Sequence, residues 1–158
     1  VAISDTHAVS LLAFPQALVN DIKEADVVVH CGDYTSVQLL NELREVCRRF
    51  VGVYGNMDTL DVRRELPRKT AFEVEGMRIG VIHPYWGGDS FGVERRISEE
   101  FHGVDAILYG HTHSAGQRTI DGVQFINPGQ SYSDKTGRVT AGIITIGAKK
   151  FDVEIKSY

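Results

Sequence analysis

Five short apolar runs each stop at a side chain that can donate a lone pair, and this regularity limits what the chain can fold into more than any other feature. Val1-Ala2-Ile3 gives way to Ser4-Asp5-Thr6-His7, and Ala25 to His30 to Cys31-Gly32-Asp33. Phe50-Val51-Gly52-Val53-Tyr54 stops at Gly55-Asn56, Met77 to Ile82 at His83, and Val104 to Tyr109 at Gly110-His111-Thr112-His113. Short β-branched runs bounded by glycine read as strands. Helix-period segments separate the first three runs. One carries Leu11, Leu12, Ala17, Leu18 and Ile22. The next carries Val37, Leu39, Leu40, Leu43 and Val46 behind a cap at Thr35 or Ser36. Strands alternating with helices through right-handed crossovers predict a mostly parallel sheet. In such sheets ligands bind outside the carboxyl ends of the strands, where all five runs place their donors.

The second half changes character. Ala71 to Glu75 alternates with period two, Gly76 turns the chain, and Met77 to Ile82 returns as a hairpin. A helix is predicted over roughly Asp89 to Phe101. Further hairpins pair Gln117–Ile120 with Val123–Ile126 around Asp121-Gly122, and Val139–Ile146 with Phe151–Ile155 around Gly147. The expectation is a mixed α/β (α+β) fold, two layers of mixed sheet with helices outside. With 158 residues, 42% of them hydrophobic, residues 1–158 are read as one domain that needs no disulfide to fold. Because Val1 opens inside an apolar run, a few residues are expected to precede it. Two cysteines, Cys31 and Cys47, and the lack of a leader pattern suit a reducing cytoplasm. The net charge of −4 disfavours a general nucleic-acid or membrane-surface binder. No apolar run approaches the roughly 20 residues of a membrane helix.

The donors are Asp5, His7, Asp33, Asn56, His83, His111 and His113. Four imidazoles, two carboxylates and an amide exceed what one tetrahedral or octahedral ion uses, whereas two ions sharing a carboxylate use them all. Asp5-x-His7 and His111-x-His113 place paired donors on one side of an extended segment. The mixture suits manganese, iron, cobalt, nickel or zinc over calcium or magnesium, and manganese is the ion expected first. Two divalent ions, two carboxylates and a bridging hydroxide leave a net charge of about +1, which attracts an anion despite the acidic whole. Such a centre clamps both oxygens of an in-line displacement, so the predicted reaction is phosphate-ester hydrolysis by the bridging hydroxide. Two-metal peptidases usually rely on more carboxylates.

Each residue also has a bland reading. Asp5 could cap a turn, Asn56 could sit in one, and His83 could be a core histidine, but five donor-ended strands in order outweigh these. His30 is expected to support ligands or the core, Cys31 to pack, and His102 to meet the end of its helix beside Gly103. Asp58 is read as the cap of a helix beginning near Leu60, with partnership to a metal ligand as the alternative. Arg44, Arg48, Arg49, Arg63, Arg64, Arg68 and Lys69 read as solvated helix faces. Tyr85-Trp86-Gly87-Gly88 follows His83 at the expected mouth, where an aromatic could stack on a substrate or simply pack.

From Val1 to about Gly129 these blocks resemble the calcineurin-like metallophosphoesterase superfamily, and within it the small YfcE/MJ0936-type phosphodiesterase group. Ile126-Asn127-Pro128-Gly129 is similar to a segment those proteins carry. The resemblance implies a four-layer αββα sandwich with two central sheets. It implies one ion on Asp5, His7, Asp33 and His113, and another on Asp33, Asn56, His83 and His111. Asp33 would bridge, with Asp33, Asn56 and His83 as the catalytic members. Many relatives follow the asparagine with a histidine that protonates the leaving oxygen; here Met57 stands there, and the phosphodiesterase group also lacks that histidine. Pro84 follows His83 where glycine is common, and Gln130 replaces a common serine. The implied substrate is a small phosphate ester; a homo-oligomer is left open. The competing resemblance is to the Vps29-like branch, non-catalytic metal-binding interaction scaffolds, from which His7 and His113 set this chain apart. A nuclease reading lacks a capping domain and a basic groove.

Overall fold

The computed structural model describes residues 1–86, 92–132, 138–147 and 150–158. In chain order it forms β1 (Ala2–Ile3), α1 (Gln16–Glu24), β2 (Val28–His30), α2 (Val37–Val46), β3 (Phe50–Gly52) and α3 (Leu60–Glu65). Then follow β4 (Lys69–Val74), β5 (Met77–Ile82), α4 (Val93–Ser98), β6 (Ala106–Tyr109), β7 (Gly116–Ile120), β8 (Val123–Asn127), β9 (Thr140–Gly147) and β10 (Lys150–Ser157). Among the described residues these strands make two five-stranded mixed sheets, ordered β10-β9-β1-β2-β3 and β4-β5-β6-β8-β7. The runs β1-β2-β3 and β5-β6-β8 are parallel, and the remaining pairs are antiparallel.

Alternation along the strands sorts the apolar side chains into three layers. Ile3 and Val28 face outward under Leu18 and Ile22 of α1, Leu39, Leu40 and Leu43 of α2, and Val62 of α3. Their neighbours Ala2 and Val29 face the other way and meet Ile79, Val81, Ala106, Leu108 and Ile126 between the sheets. Ile82, Ile107 and Phe125 face outward on the second sheet, under Val93 and Ile97 of α4. Helices, two sheets and a helix therefore stack as four layers, as expected. Each fully buried Leu or Ile contributes about 1.5–3 kcal/mol of apolar transfer.

Some expectations need correction. The first helix does not run through Leu11 and Leu12. A short 3₁₀ turn covers Leu11–Ala13, the chain extends at Phe14 (ψ 149°), and α1 starts only after Pro15. Proline disfavours helix at the residue before it, yet suits the entry to the next one. Of the two cap candidates for α2, Ser36 takes the role as expected, accepting the Gln38 N–H. His102 is exposed and lies beyond the end of α4 at Ser98. The start of the fourth helix near Asp89, the glycines Gly87-Gly88 and the turn between β9 and β10 lie outside the described residues. No described helix is long and apolar enough to cross a membrane.

Candidate metal centre

Parallel pairing of β1, β2 and β3 sets the segments after these strands side by side. The Asp5 N–H donates to the Gly32 carbonyl at 3.0 Å and the His7 N–H to the Asp33 carbonyl at 3.1 Å. Parallel β5 and β6 bring His83 and His111 to the same edge from the second sheet. The backbone turns abruptly at the donors. Asp5, His7, Asp33, His111 and His113 have φ of 51°, 41°, 62°, 82° and 57°, making five of the eight described non-glycine residues with positive φ. Such conformations cost on the order of 1 kcal/mol or more each and persist only where surrounding contacts impose them. Two glycines allow the close approach: a β-carbon on Gly55 would overlap Asp33 Oδ1, and one on Gly110 would overlap Ser4 Oγ.

Asp5, His7 and His113 offer ligand atoms that lie within 4.8 Å of one another, and so do Asp5, Asp33 and His83. His113 Nε2 is 3.4 Å from Asp5 Oδ1. Asn56 Oδ1 is 2.9 Å from His83 Nε2 and 3.0 Å from His111 Nδ1. Between the two groups stands Asp33 Oδ2, 3.9 Å from His7 Nε2 and 3.5 Å from His83 Nε2. Ligands bonded at about 2.1 Å stand about 3.0–3.4 Å apart at the corners of an octahedron or tetrahedron. The donor spacings are close to such edges, so the residues fit divalent cations.

Neighbouring groups settle which nitrogen two of the imidazoles present. The Cys31 carbonyl can only accept, so at 2.8 Å from His83 Nδ1 it requires the proton there and leaves Nε2 as a lone pair facing Asn56 and Asp33. Gln130 does the same for His113. Its amide NH₂ donates to the carbonyls of Tyr132 and Arg138, which turns Oε1 towards His113 Nδ1 at 3.0 Å. His113 Nε2 is thereby aimed at Asp5. Burial pushes the Asp5 carboxyl up, but the His113 hydrogen bond and its other polar neighbours hold it below its ordinary value. The Asp5 carboxylate raises His113 in return.

Asp58 is not the cap of α3, which is Thr59. Its carboxylate accepts the N–H groups of Asp33 (3.0 Å), Thr35 (2.7 Å) and Gly55 (2.7 Å), joining the segments that follow β2 and β3. Burial raises its pKa, although these three bonds oppose the shift. The Met57 N–H donates to Asp33 Oδ1 at 2.8 Å, which leaves Oδ2 for the histidines. His30 is fully buried and accepts the Gly32 N–H on Nδ1, so its Nε2–H donates to Thr6 Oγ1 at 3.0 Å. Asn127 braces the last donor segment, giving Nδ2–H to Thr112 Oγ1 at 2.9 Å and accepting the Gly129 N–H.

All seven donors read from the sequence come together. Cys31 packs between the sheets and serves through its carbonyl. Of the basic residues, Arg44, Arg48 and Arg64 pair with Glu65, Asp26 and Asp61 on the surface. Arg63 instead donates to the carbonyls of Asp58 and Asn56. Tyr85 and Trp86 meet edge to face, with Arg68 over the first ring at 4.2 Å and Arg96 over the second at 4.5 Å. Gln130 was the supporting residue without a sequence signal of its own.

Residues 1–149 match the calcineurin-like phosphoesterase superfamily domain. A probable metallophosphoesterase of Methanocaldococcus jannaschii is 36% identical over 131 residues, 80% of this chain and 65% of that protein. The chain thus spans just under two thirds of that relative. A second protein of that organism, the phosphodiesterase MJ0936, is 26% identical over 82% of this chain and 81% of its own length. The solution structure of a Thermotoga maritima protein superposes with a TM-score of 0.76 at 31% identity, covering 99% of this chain and 97% of the other. A zinc-containing Vps29 from Entamoeba histolytica superposes with a TM-score of 0.74 at 19% identity over 99% and 96%, a likeness of fold alone.

Proposed function

The chain belongs to the calcineurin-like phosphoesterase superfamily, and from that membership we propose that it is a phosphodiesterase holding two divalent cations, manganese first among them, and acting on a small organic phosphate. The observation that carries this reading is the position of Asp33, whose Oδ2 lies within 4 Å of both His7 and His83. Asp5, His7 and His113 would hold one cation with Asp33, and Asn56, His83 and His111 the other. Divalent cations held there would supply a nucleophile at neutral pH and neutralise charge developing on the phosphoryl oxygens. The protein's part is orientation. Cys31 and Gln130 fix two imidazoles, Met57 N–H fixes the Asp33 carboxylate, and Asp58 fixes the backbone beneath it.

Met57 also defines what is missing. General-acid help is worth roughly 10²–10⁴ in rate, and a thioether cannot give a proton. Poor leaving groups should therefore suffer most. The test is a series of substituted aryl phosphodiesters with protein reloaded with manganese, iron, cobalt, nickel or zinc. The expected result is a steep fall in rate with rising leaving-group pKa, made shallower by Met57→His. A flat profile would mean that another acid acts. No hydrolysis with any metal would overturn the enzymatic reading and favour a metal-binding scaffold.

A further inference from the structure

Among the described residues the exposed large apolar side chains are Val9, Leu12, Met57 and Leu60, at 64%, 96%, 61% and 71% exposure. All four lie in the two segments that lead from β1 to α1 and from β3 into α3, one following His7 and the other following Asn56. They are held where they stand. Ser10 Oγ and the Leu11 N–H donate to Glu42 of α2, which pins the turn that carries Leu12 outward. Met57 is tied to Asp33 through its N–H, and Arg63 ties the first turn of α3, where Leu60 sits, to the Asn56 and Asp58 carbonyls. Residues 8–14 carry no charged side chain. In 56–60 the single charge belongs to Asp58, which is buried and occupied with backbone N–H groups.

A cation-holding centre whose donors His7 and Asn56 each lead into an exposed apolar segment has a specific complement: an anion with an apolar substituent. A polyhydroxylated sugar or nucleoside would find few hydrogen-bonding side chains on these arms. We propose that the phosphodiester this centre takes carries an alkyl or aryl group on its non-leaving oxygen, and that Val9, Leu12, Met57 and Leu60 receive that group beside the phosphoryl. This rests on the phosphodiesterase reading above.

The test holds the leaving group constant. Methyl, propyl and hexyl p-nitrophenyl phosphates are compared on metal-loaded protein, so that only the non-leaving chain changes. Burying a methylene is worth roughly a fourfold factor at most, so kcat/KM should rise about two- to fourfold per methylene until the arms are covered. Leu12→Ser and Leu60→Ser should flatten that rise. In parallel, calorimetric binding of dimethyl, dipropyl and dihexyl phosphate to metal-loaded protein should show the same ordering of affinities. Hydrolysis with no dependence on chain length would overturn the inference and leave the phosphodiesterase reading standing. Absence of hydrolysis, with affinities still rising along the dialkyl series, would retain the apolar site and remove the enzymatic reading. Flat affinities would overturn the inference in either case. So would a dimer in sedimentation that Leu12→Ser or Leu60→Ser dissociates, because the arms would then serve self-association.

Discussion

Two imidazoles of the site owe their orientation to acceptors outside the donor set, the Cys31 carbonyl for His83 and the Gln130 amide oxygen for His113. Supporting partners of this kind typically carry a 10–100-fold effect on metal affinity. Gln130→Leu should accordingly weaken cation binding by roughly 10–100-fold with the fold intact, as read by titration against a competing chelator. A second prediction concerns His30. Burial depresses its pKa from the ordinary 6.5 to about 3. The unfolded chain therefore binds a proton at His30 between those values while the folded chain does not, so this contribution is complete above pH 6.5 and is lost as pH falls. The slope is about 1.4 kcal/mol per pH unit. Urea unfolding of metal-free protein should show it, and His30→Gln should be less stable at pH 7 yet lose less on acidification. The donors themselves were legible because each ends an apolar run. Gln130 was not, because its partner is 17 residues away across a turn, and nothing local distinguishes a glutamine that orients a ligand from one in solvent.

At the scale of elements, the strands announced themselves by alternation and β-branching, and the hairpin turns by glycine. Glu75-Gly76 and Asp121-Gly122 both take positive φ at each residue, as two-residue hairpins require. The helix starts were harder to read. Asp58 and Thr59 are both good capping types, and only the folded chain shows that Thr59 takes the cap while Asp58 turns to the segment after β2. Likewise the apolar spacing of Leu11 and Leu12 mimicked a helix that Pro15 delays. The Asp58 carboxylate is the tie between two donor segments. Asp58→Asn replaces an acceptor oxygen by an NH₂ group facing N–H donors and should destabilise the protein by about 2–4 kcal/mol in urea, since bonds to charged groups are worth about 1.5–3 kcal/mol each. Asp58→Asn should also weaken cation binding, whereas Thr59→Ala should cost only about 1 kcal/mol and leave it unchanged.

Taken as a whole, the molecule draws its donors from both sheets. Asp5, Asp33 and Asn56 follow strands of the first, and His83 and His111 follow strands of the second. A cation bound across that seam binds the folded state alone, so saturation at 100 times Kd should add about 2.7 kcal/mol of stability. For a chain of this size that is roughly 5–10 °C in Tm. A melting curve with and without a chelator should show the gap, and its dependence on metal concentration. The same seam sets an order of events in time. Neither half of the chain contains a complete donor set, because Asp5 meets His113 and Asn56 meets His111 only once the sheets have docked. Cation capture is therefore expected at the last stage of refolding. A metal-sensitive dye in a stopped-flow mixer should lag behind the recovery of secondary structure, and the delay would time the docking of one sheet onto the other.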